Sequence, residues 1–160
     1  MNPLKHLSPA LYATLSNALT LGGALVPVVE HLPGTYAGHY VLLSQTTHVP
    51  EGGSQGCYGW SCTALVDIIT QFPDSRVSSA PADELLDQID ALLHRQRLPL
   101  PANWECGPAT FEPSLERRET DGQYPAVRRL VRFRWQVYYH PPTTVVPVPA
   151  QSPYYNFLYA

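Results

Sequence analysis

The pattern of apolar and polar positions divides the chain into two helices, a set of strands and a tail of different character. The run Thr63-Ala-Leu-Val-Asp-Ile-Ile-Thr70 is short, β-branched and mostly apolar on both faces, which predicts a central strand. Phe72-Pro-Asp-Ser75 stops it. Ser78-Ser-Ala-Pro81 then opens a helix over 81–97, with Leu85, Leu86, Ile89, Leu92 and Leu93 on one stripe. Asp83, Glu84 and Asp87 crowd its first turns and His94, Arg95 and Arg97 its last, so both ends suit the helix dipole. Ser8-Pro9 predicts an earlier helix from Pro9 to about Leu19, with Leu11, Leu15, Ala18 and Leu19 on one face. Gly22-Gly23 is expected to end it.

Five segments in all read as strands, the run 63–70 being part of one of them. Val26 to Glu30 is short, and Pro27 predicts an edge or a strand start. After a loop over 31–38, His39 to Thr47 and Tyr58 to Thr70 predict a hairpin around the glycine-rich Glu51-Gly-Gly-Ser-Gln-Gly56. Leu98-Pro-Leu-Pro-Ala102 is a stiff connector. Over 109–118, Pro113 demotes the pattern to an edge or bulged strand. Thr120 to Gln123 turns the chain. Val127 to Tyr139 alternates most clearly: Val131, Phe133, Trp135, Val137 and Tyr139 face one way, and Arg132, Arg134 and Gln136 the other. It should run antiparallel to 109–118. The order α-β-β-β-α-β-β predicts an α+β domain over 1–140, a mostly antiparallel sheet of four to five strands packed with two helices. Residues 141–160 read as an extended arm. Pro141-Pro-Thr-Thr-Val-Val-Pro-Val-Pro149 cannot be a central strand. Tyr154, Tyr155, Phe157 and Tyr159 have no core of their own, which predicts docking on another surface.

Composition sharpens this picture. The 160 residues suit one domain with one real core. Only 14% of residues are charged, against about 25% in ordinary globular chains, so part of the surface is expected to be covered by neighbours. A net charge of −3 argues against a nucleic-acid-binding polycation. Three cysteines, Cys57, Cys62 and Cys106, do not make a disulfide framework and fit a chain made in a reducing cytoplasm. No signal peptide is expected from Met1-Asn-Pro-Leu-Lys-His-Leu-Ser8, and no membrane span from any apolar run.

Catalytic and ligand-binding patterns are weak throughout. Cys57 and Cys62 have zinc-like spacing but lack a second pair, and the six histidines form no His-x-x-x-His, so buried strand cysteines and no metal are expected. The cysteines lie at a strand entrance rather than a helix start, and no serine sits in a Gly-x-Ser-x-Gly turn. No phosphate-cradling glycine motif is present, so neither a cofactor nor an enzymatic activity is expected. Asp67 falls mid-strand on the face of Leu65 and Ile69 and needs a partner there. An acid or metal-ligand role competes with an ion pair to an arginine of 127–139 or an inter-subunit contact. Six of the ten basic residues lie within 117–134: Arg117, Arg118, Arg128, Arg129, Arg132 and Arg134. Glu112, Glu116, Glu119 and Asp121 lie beside them. A nucleic-acid-binding module is one reading. Phe133 and Trp135, however, alternate with the arginines and so face the core, and a mixed-charge hairpin favours cross-strand and inter-subunit pairs.

The N-terminal helix, the hairpin, the run Ala64-Leu-Val-Asp-Ile-Ile-Thr-Gln-Phe-Pro73, the helix Ala82 to Arg97 and the closing Val127-Arg-Arg-Leu-Val-Arg-Phe-Arg-Trp135 resemble the tail-terminator or tail-completion proteins of long-tailed bacteriophages. The likeness spans roughly 5–140. The arm from 141 and the loop 51–56 depart from that pattern. The resemblance implies a non-enzymatic virion protein, assembled in the bacterial cytoplasm. It implies a ring, usually a hexamer, that caps the tail tube, stops its polymerisation and meets the head connector while DNA passes through the lumen. A head-to-tail stopper or adaptor is the neighbouring alternative. On this reading Arg117, Arg118, Arg128, Arg129, Arg132, Arg134, Glu112 and Glu116 fall at a subunit or ring interface. Tyr154, Tyr155, Phe157 and Tyr159 would grip a neighbour. No membrane partner is implied.

Overall fold

The leucine stripe at Leu7, Leu11 and Leu15 draws the first helix back to an earlier start than Ser8-Pro9 suggests. In the computed structural model, which describes residues 1–31, 38–52, 57–73, 77–121 and 124–142, α1 spans Leu4–Leu15 and contains Pro9. Pro9 points to solvent while all three leucines are buried. The interior proline costs about 3 kcal/mol, which burial of the extra turn offsets. Asn2 accepts a hydrogen bond from the Leu4 N–H at 3.0 Å and helps to start the helix. The helix ends at Leu15, and Asn17 takes the left-handed position beyond it (φ 62°).

Gly22-Gly23 therefore does not end the helix. It forms the turn of a small hairpin between β1 (Thr20–Leu21) and β2 (Ala24–Leu25), with φ of 57° and 82°. Two positive φ values in a two-residue hairpin turn are why glycines stand there. β3 (Val28–Val29) is the expected edge strand and pairs in parallel with β4 (Tyr40–Glu51). β4 and β5 (Tyr58–Gln71) form the expected antiparallel hairpin, with a register shift between Ser44 and Thr46.

α2 spans Ala80–Leu93 and buries Ala82, Leu85, Ile89 and Leu93. It stops short of Arg97 because the chain turns to meet Ala109: Arg95 adopts φ 60°, its N–H donates to the Ala109 carbonyl, and the Ala109 N–H donates to Gln96. The expected basic last turn is thus absent, and Arg97 instead pairs with Glu105 at 2.9 Å. β6 (Trp104–Cys106) follows, then β7 (Thr110–Asp121) and β8 (Tyr124–Tyr139). The main sheet has six strands in the order β3-β4-β5-β8-β6, with β7 also on β8. Only the β3–β4 pair is parallel. The class is α+β as expected. The sheet exceeds five strands because β8 is long enough for β6 and β7 to share its outer edge, β6 opposite 137–139 and β7 opposite 124–134.

Both helices cover one face. Trp60, Cys62, Ala64, Val66 and Ile68 of β5 alternate onto it, beside Val127, Val131, Phe133, Trp135 and Val137 of β8. The opposite face carries a second, smaller cluster of Tyr40, Ile69 and Ala126 at one end. No helix among the described residues is long and apolar enough to cross a membrane. Most of the loop expected over 31–38, the middle of the glycine-rich loop, and the arm from 143 onward lie outside the described residues. Tyr154, Tyr155, Phe157 and Tyr159 are among them.

Gln88 of α2 acts as a strand partner for β1: its amide accepts from the Thr20 N–H at 2.9 Å and donates to the Thr20 carbonyl at 2.7 Å. Gln88→Ala should lower stability by about 1–2 kcal/mol. Leu11→Ala should lower it by about 2–5 kcal/mol through the cavity it leaves. Urea unfolding followed by circular dichroism measures both, and an unchanged midpoint for Leu11→Ala would contradict the packing of α1.

Candidate assembly surface

Strand alternation and one bulge distribute the arginine cluster. In β8, even-numbered residues from Arg128 to Tyr138 point away from the helices, and odd-numbered ones point towards them. Arg129 shares the parity of Val127 and Val131, so it enters the helix side, where it is only 16% exposed. There it pairs with Asp83 of α2 and, at 3.1 Å, with Glu116. The alternation in the sequence already contains this placement, which sets Arg129 apart from Arg128, Arg132 and Arg134.

β7 shifts register between Glu112 and Leu115, so residues 113 and 114 oppose Val131 alone. This fulfils the edge-or-bulge expectation for Pro113. The shift reverses the facing of everything after it. Glu112 sits opposite Arg132 on the outer face and Glu116 opposite Arg129 on the helix face. In an unbroken strand these two glutamates, four residues apart, would share a face.

The outer face is built around a buried carboxylate. Asp67 is fully buried in β5, and Arg128 donates to its Oδ2 from both Nε, at 2.7 Å, and Nη2. Arg128 also reaches Glu119 at 3.0 Å. The hydrogen bond to Asp67, ahead of the opposing effect of burial, holds the guanidinium above the ordinary arginine range. A raised folded value gives stability that is full below the unfolded value and lost only above it, so the pair persists through neutral pH. Asp67 Oδ1 has no hydrogen-bond partner among the described residues. Asp67 is thus held in a structural ion pair with an arginine of β8, one of the roles open from sequence.

Further along this face Arg134 and Arg132 both reach Glu112, at 2.6 and 3.5 Å. Both are about half exposed, as is the apolar Leu115 beside them. On the helix side Arg118 reaches Glu116 at 3.4 Å. Arg117 makes no ion pair among the described residues. It faces Arg128 across the strands. Five of the six arginines therefore meet Asp67, Asp83, Glu112, Glu116 or Glu119 within the same chain. A patch neutralised in this way is poor at collecting phosphates. It leaves Arg117, Arg118, Arg132 and Arg134 as exposed members, while Arg128 and Arg129 serve the fold.

Both edges of the sheet are open. β3 covers β4 only at Val41 and Leu42, so Leu43 to Glu51 has no outer strand among the described residues. β7 has none on its outer side either. Unpaired edges are natural sites for joining another chain, unless charge, proline or bulges oppose it. β7 carries such obstacles in its bulge and charges; β4 carries Pro50.

The cysteines are set against chemistry. All three are free. Burial pushes the Cys62 thiol up to about 12 and the Cys106 thiol up to about 11. No group of three metal-ligating side chains occurs among the described residues. A groove of about 460 Å³ between α1 and the open edge of β4 is lined by Ser8, Leu11, Glu30, His31, Leu43, Ser44 and Thr46, and among the described residues no hydrogen bond joins His31 to one of these hydroxyls.

One group that sequence reasoning missed is aromatic. At the far end of the sheet Trp60 stacks on Trp104 at 5.6 Å, and Trp104 meets Tyr139 at 5.0 Å and His6 of α1 at 4.9 Å. Tyr58 flanks Trp60 and Tyr139, each at 6.4 Å. The missing signal was β6, too short to be read as a strand. Its pairing with 137–139 is what brings Trp104 to this end.

The fold is similar to that of a solved chain described as "Virion of native gene transfer agent (GTA) particle". The two share 18% sequence identity, with a TM-score of 0.54, over 84% of this chain and 94% of the other. No family model and no curated protein matches the chain.

Arg128→Ala leaves Asp67 buried without its cation and should cost about 3–5 kcal/mol. Arg117→Ala should change stability by less than about 0.5 kcal/mol. Chemical denaturation compares the two, and equal effects would refute the division between fold-holding and exposed arginines. Iodoacetamide at mildly alkaline pH should leave Cys62 and Cys106 unmodified in the native chain and label them in urea. Mass spectrometry of tryptic peptides reads the difference.

Proposed function

We propose that this chain is a non-enzymatic structural protein of a phage-like particle. It acts as the tail terminator, forming a ring that caps the tail tube and joins it to the head connector. The observation that carries the reading is the fold shared, along most of both chains, with a component of a gene transfer agent virion. Three features support it. The arginine cluster is neutralised inside the chain rather than left free for phosphates. The sheet has open edges on opposite sides, β4 on one and β7 on the other. Different surfaces on opposite sides of one subunit are what a head-to-tail interface needs, and such an interface closes into a ring when the rotation per subunit permits. The low charged fraction suits a surface designed to be covered.

In this reading the exposed part of the β7–β8 hairpin, with Arg117, Arg132, Arg134 and Leu115, lies at a contact between subunits or between rings. The loop around 48–56 and the arm 141–160 reach neighbouring proteins of the particle. DNA passes through the lumen without sequence-specific contacts. Copies of the chain would close into a ring at the growing tail.

Imaging the neck and tail of purified particles at side-chain resolution tests this. A single ring between tube and connector is the expected result. A ring seated on the capsid portal makes the chain a stopper, and absence from the particle overturns the reading. Deleting 141–160 should leave the domain folded, with an unchanged circular dichroism spectrum, and reduce the yield of joined particles. Loss of folding on that deletion would make the arm part of the core.

A further inference from the structure

The aromatic group at the end of the sheet is larger than packing there requires. Trp60 is buried, but Trp104 and Tyr139 are only partly covered and Tyr58 is 57% exposed. Four elements converge to build it: α1 through His6, β5 through Tyr58 and Trp60, β6 through Trp104 and β8 through Tyr139. β6 and the turn before it hold Trp104 rigidly, because Asn103 accepts a hydrogen bond from the His140 N–H at 2.8 Å and β6 pairs with 137–139. Rings fixed by neighbouring strands lose little entropy on binding, and aromatic-lined surfaces favour extended proline-rich segments, which are themselves stiff.

The chain supplies such a segment. The described residues end at Pro142, three positions after Tyr139. Eighteen further residues follow, with prolines at 147, 149 and 153, aromatics at 154, 155, 157 and 159, and no charged side chain. Pro153 lies eleven positions beyond Pro142, so the chain between them reaches at most about 40 Å. That is enough for Tyr154 to Tyr159 to arrive at the same aromatic group on an adjacent copy.

We propose that the Tyr58–Trp60–Trp104–Tyr139 surface is the receptor for residues 153–159 of a second copy of this chain, so that successive subunits are strapped together. The proposal rests on the ring reading, which sets copies side by side. Proline and tyrosine rings of the incoming arm would lie on the exposed faces of Tyr58 and Trp104.

The test uses the full chain with a photoreactive phenylalanine analogue in place of Phe157. Natural-abundance and nitrogen-15-labelled chains are mixed before assembly, irradiated and digested. Mixed-mass cross-links to peptides containing Tyr58, Trp60, Trp104 or Tyr139 are expected. Tyr58→Ser should reduce their yield roughly fivefold to tenfold, and Leu25→Ser, at an exposed apolar residue on the β1–β2 hairpin, should not. Cross-links confined to one chain, cross-links elsewhere on the surface, or no cross-link overturn the proposal. The two readings fail separately. A ring seen in particles without mixed-mass cross-links at this surface removes the strap and keeps the ring, whereas cross-links from a chain absent from particles do the reverse.

Discussion

A carboxylate sealed inside a sheet is tolerable only with a cation beside it, and the Asp67–Arg128 pair sets that condition here. Asp67 lies on the central strand and Arg128 on its longest neighbour, so their pairing ties the register of β5 to that of β8. A slip of one residue would drive Arg128, Arg132 and Arg134 into the helix-covered core and turn Phe133 and Trp135 outward. The ion pair and the aromatic core therefore select the same alignment. Everything on the β7 side inherits it: the outer-face pairs of Glu112 and Glu119, and the helix-side pairs of Arg129.

The same alignment gives the two faces different tasks. The helix-covered face is a continuous apolar core that needs no partner. The other face is sealed at one end around Tyr40, Ile69 and Ala126. Elsewhere it presents half-exposed arginines, a glutamate and Leu115. Salt bridges on so exposed a surface contribute little to stability. Their worth lies in complementarity, since charges already paired within a subunit can steer a neighbour without collecting nucleic acid. The buried, protonated thiols add no reactivity to this scheme. Open edges at β4 and β7, a charged outer face and an aromatic end together give the chain surfaces that differ by direction, which suits the proposed assembly.

In the proposed ring, neighbouring copies would be held by two kinds of contact with different physics. A strand edge or charged face aligns subunits but is easily screened by salt. An uncharged proline- and tyrosine-rich arm on an aromatic surface is insensitive to salt and adds effective concentration once the first contact has formed.

Much of this was legible in the sequence. The alternation of Val131, Phe133 and Trp135 against Arg132 and Arg134 is local, set by the two-residue period of a strand. So is the stripe of Leu85, Ile89 and Leu93 along α2. That Asp67 needs a partner followed from burying a charge in an apolar run, and an arginine on 127–139 was one of the partners left open. Three things depended on tertiary structure. The start of α1 at Leu4 was decided by the core that its first turn covers, which outweighs the penalty at Pro9. The end of α2 was decided by Ala109, a residue far along the chain that captures the backbone of Arg95 and Gln96. The division of Glu112 and Glu116 between two faces was decided by a bulge whose geometry comes from pairing with β8. Sequence by itself determined periodicity, composition and the chemistry available. Only the folded chain decided which distant residues compete for the same backbone groups and the same charges, because those contacts form between segments that no local pattern links.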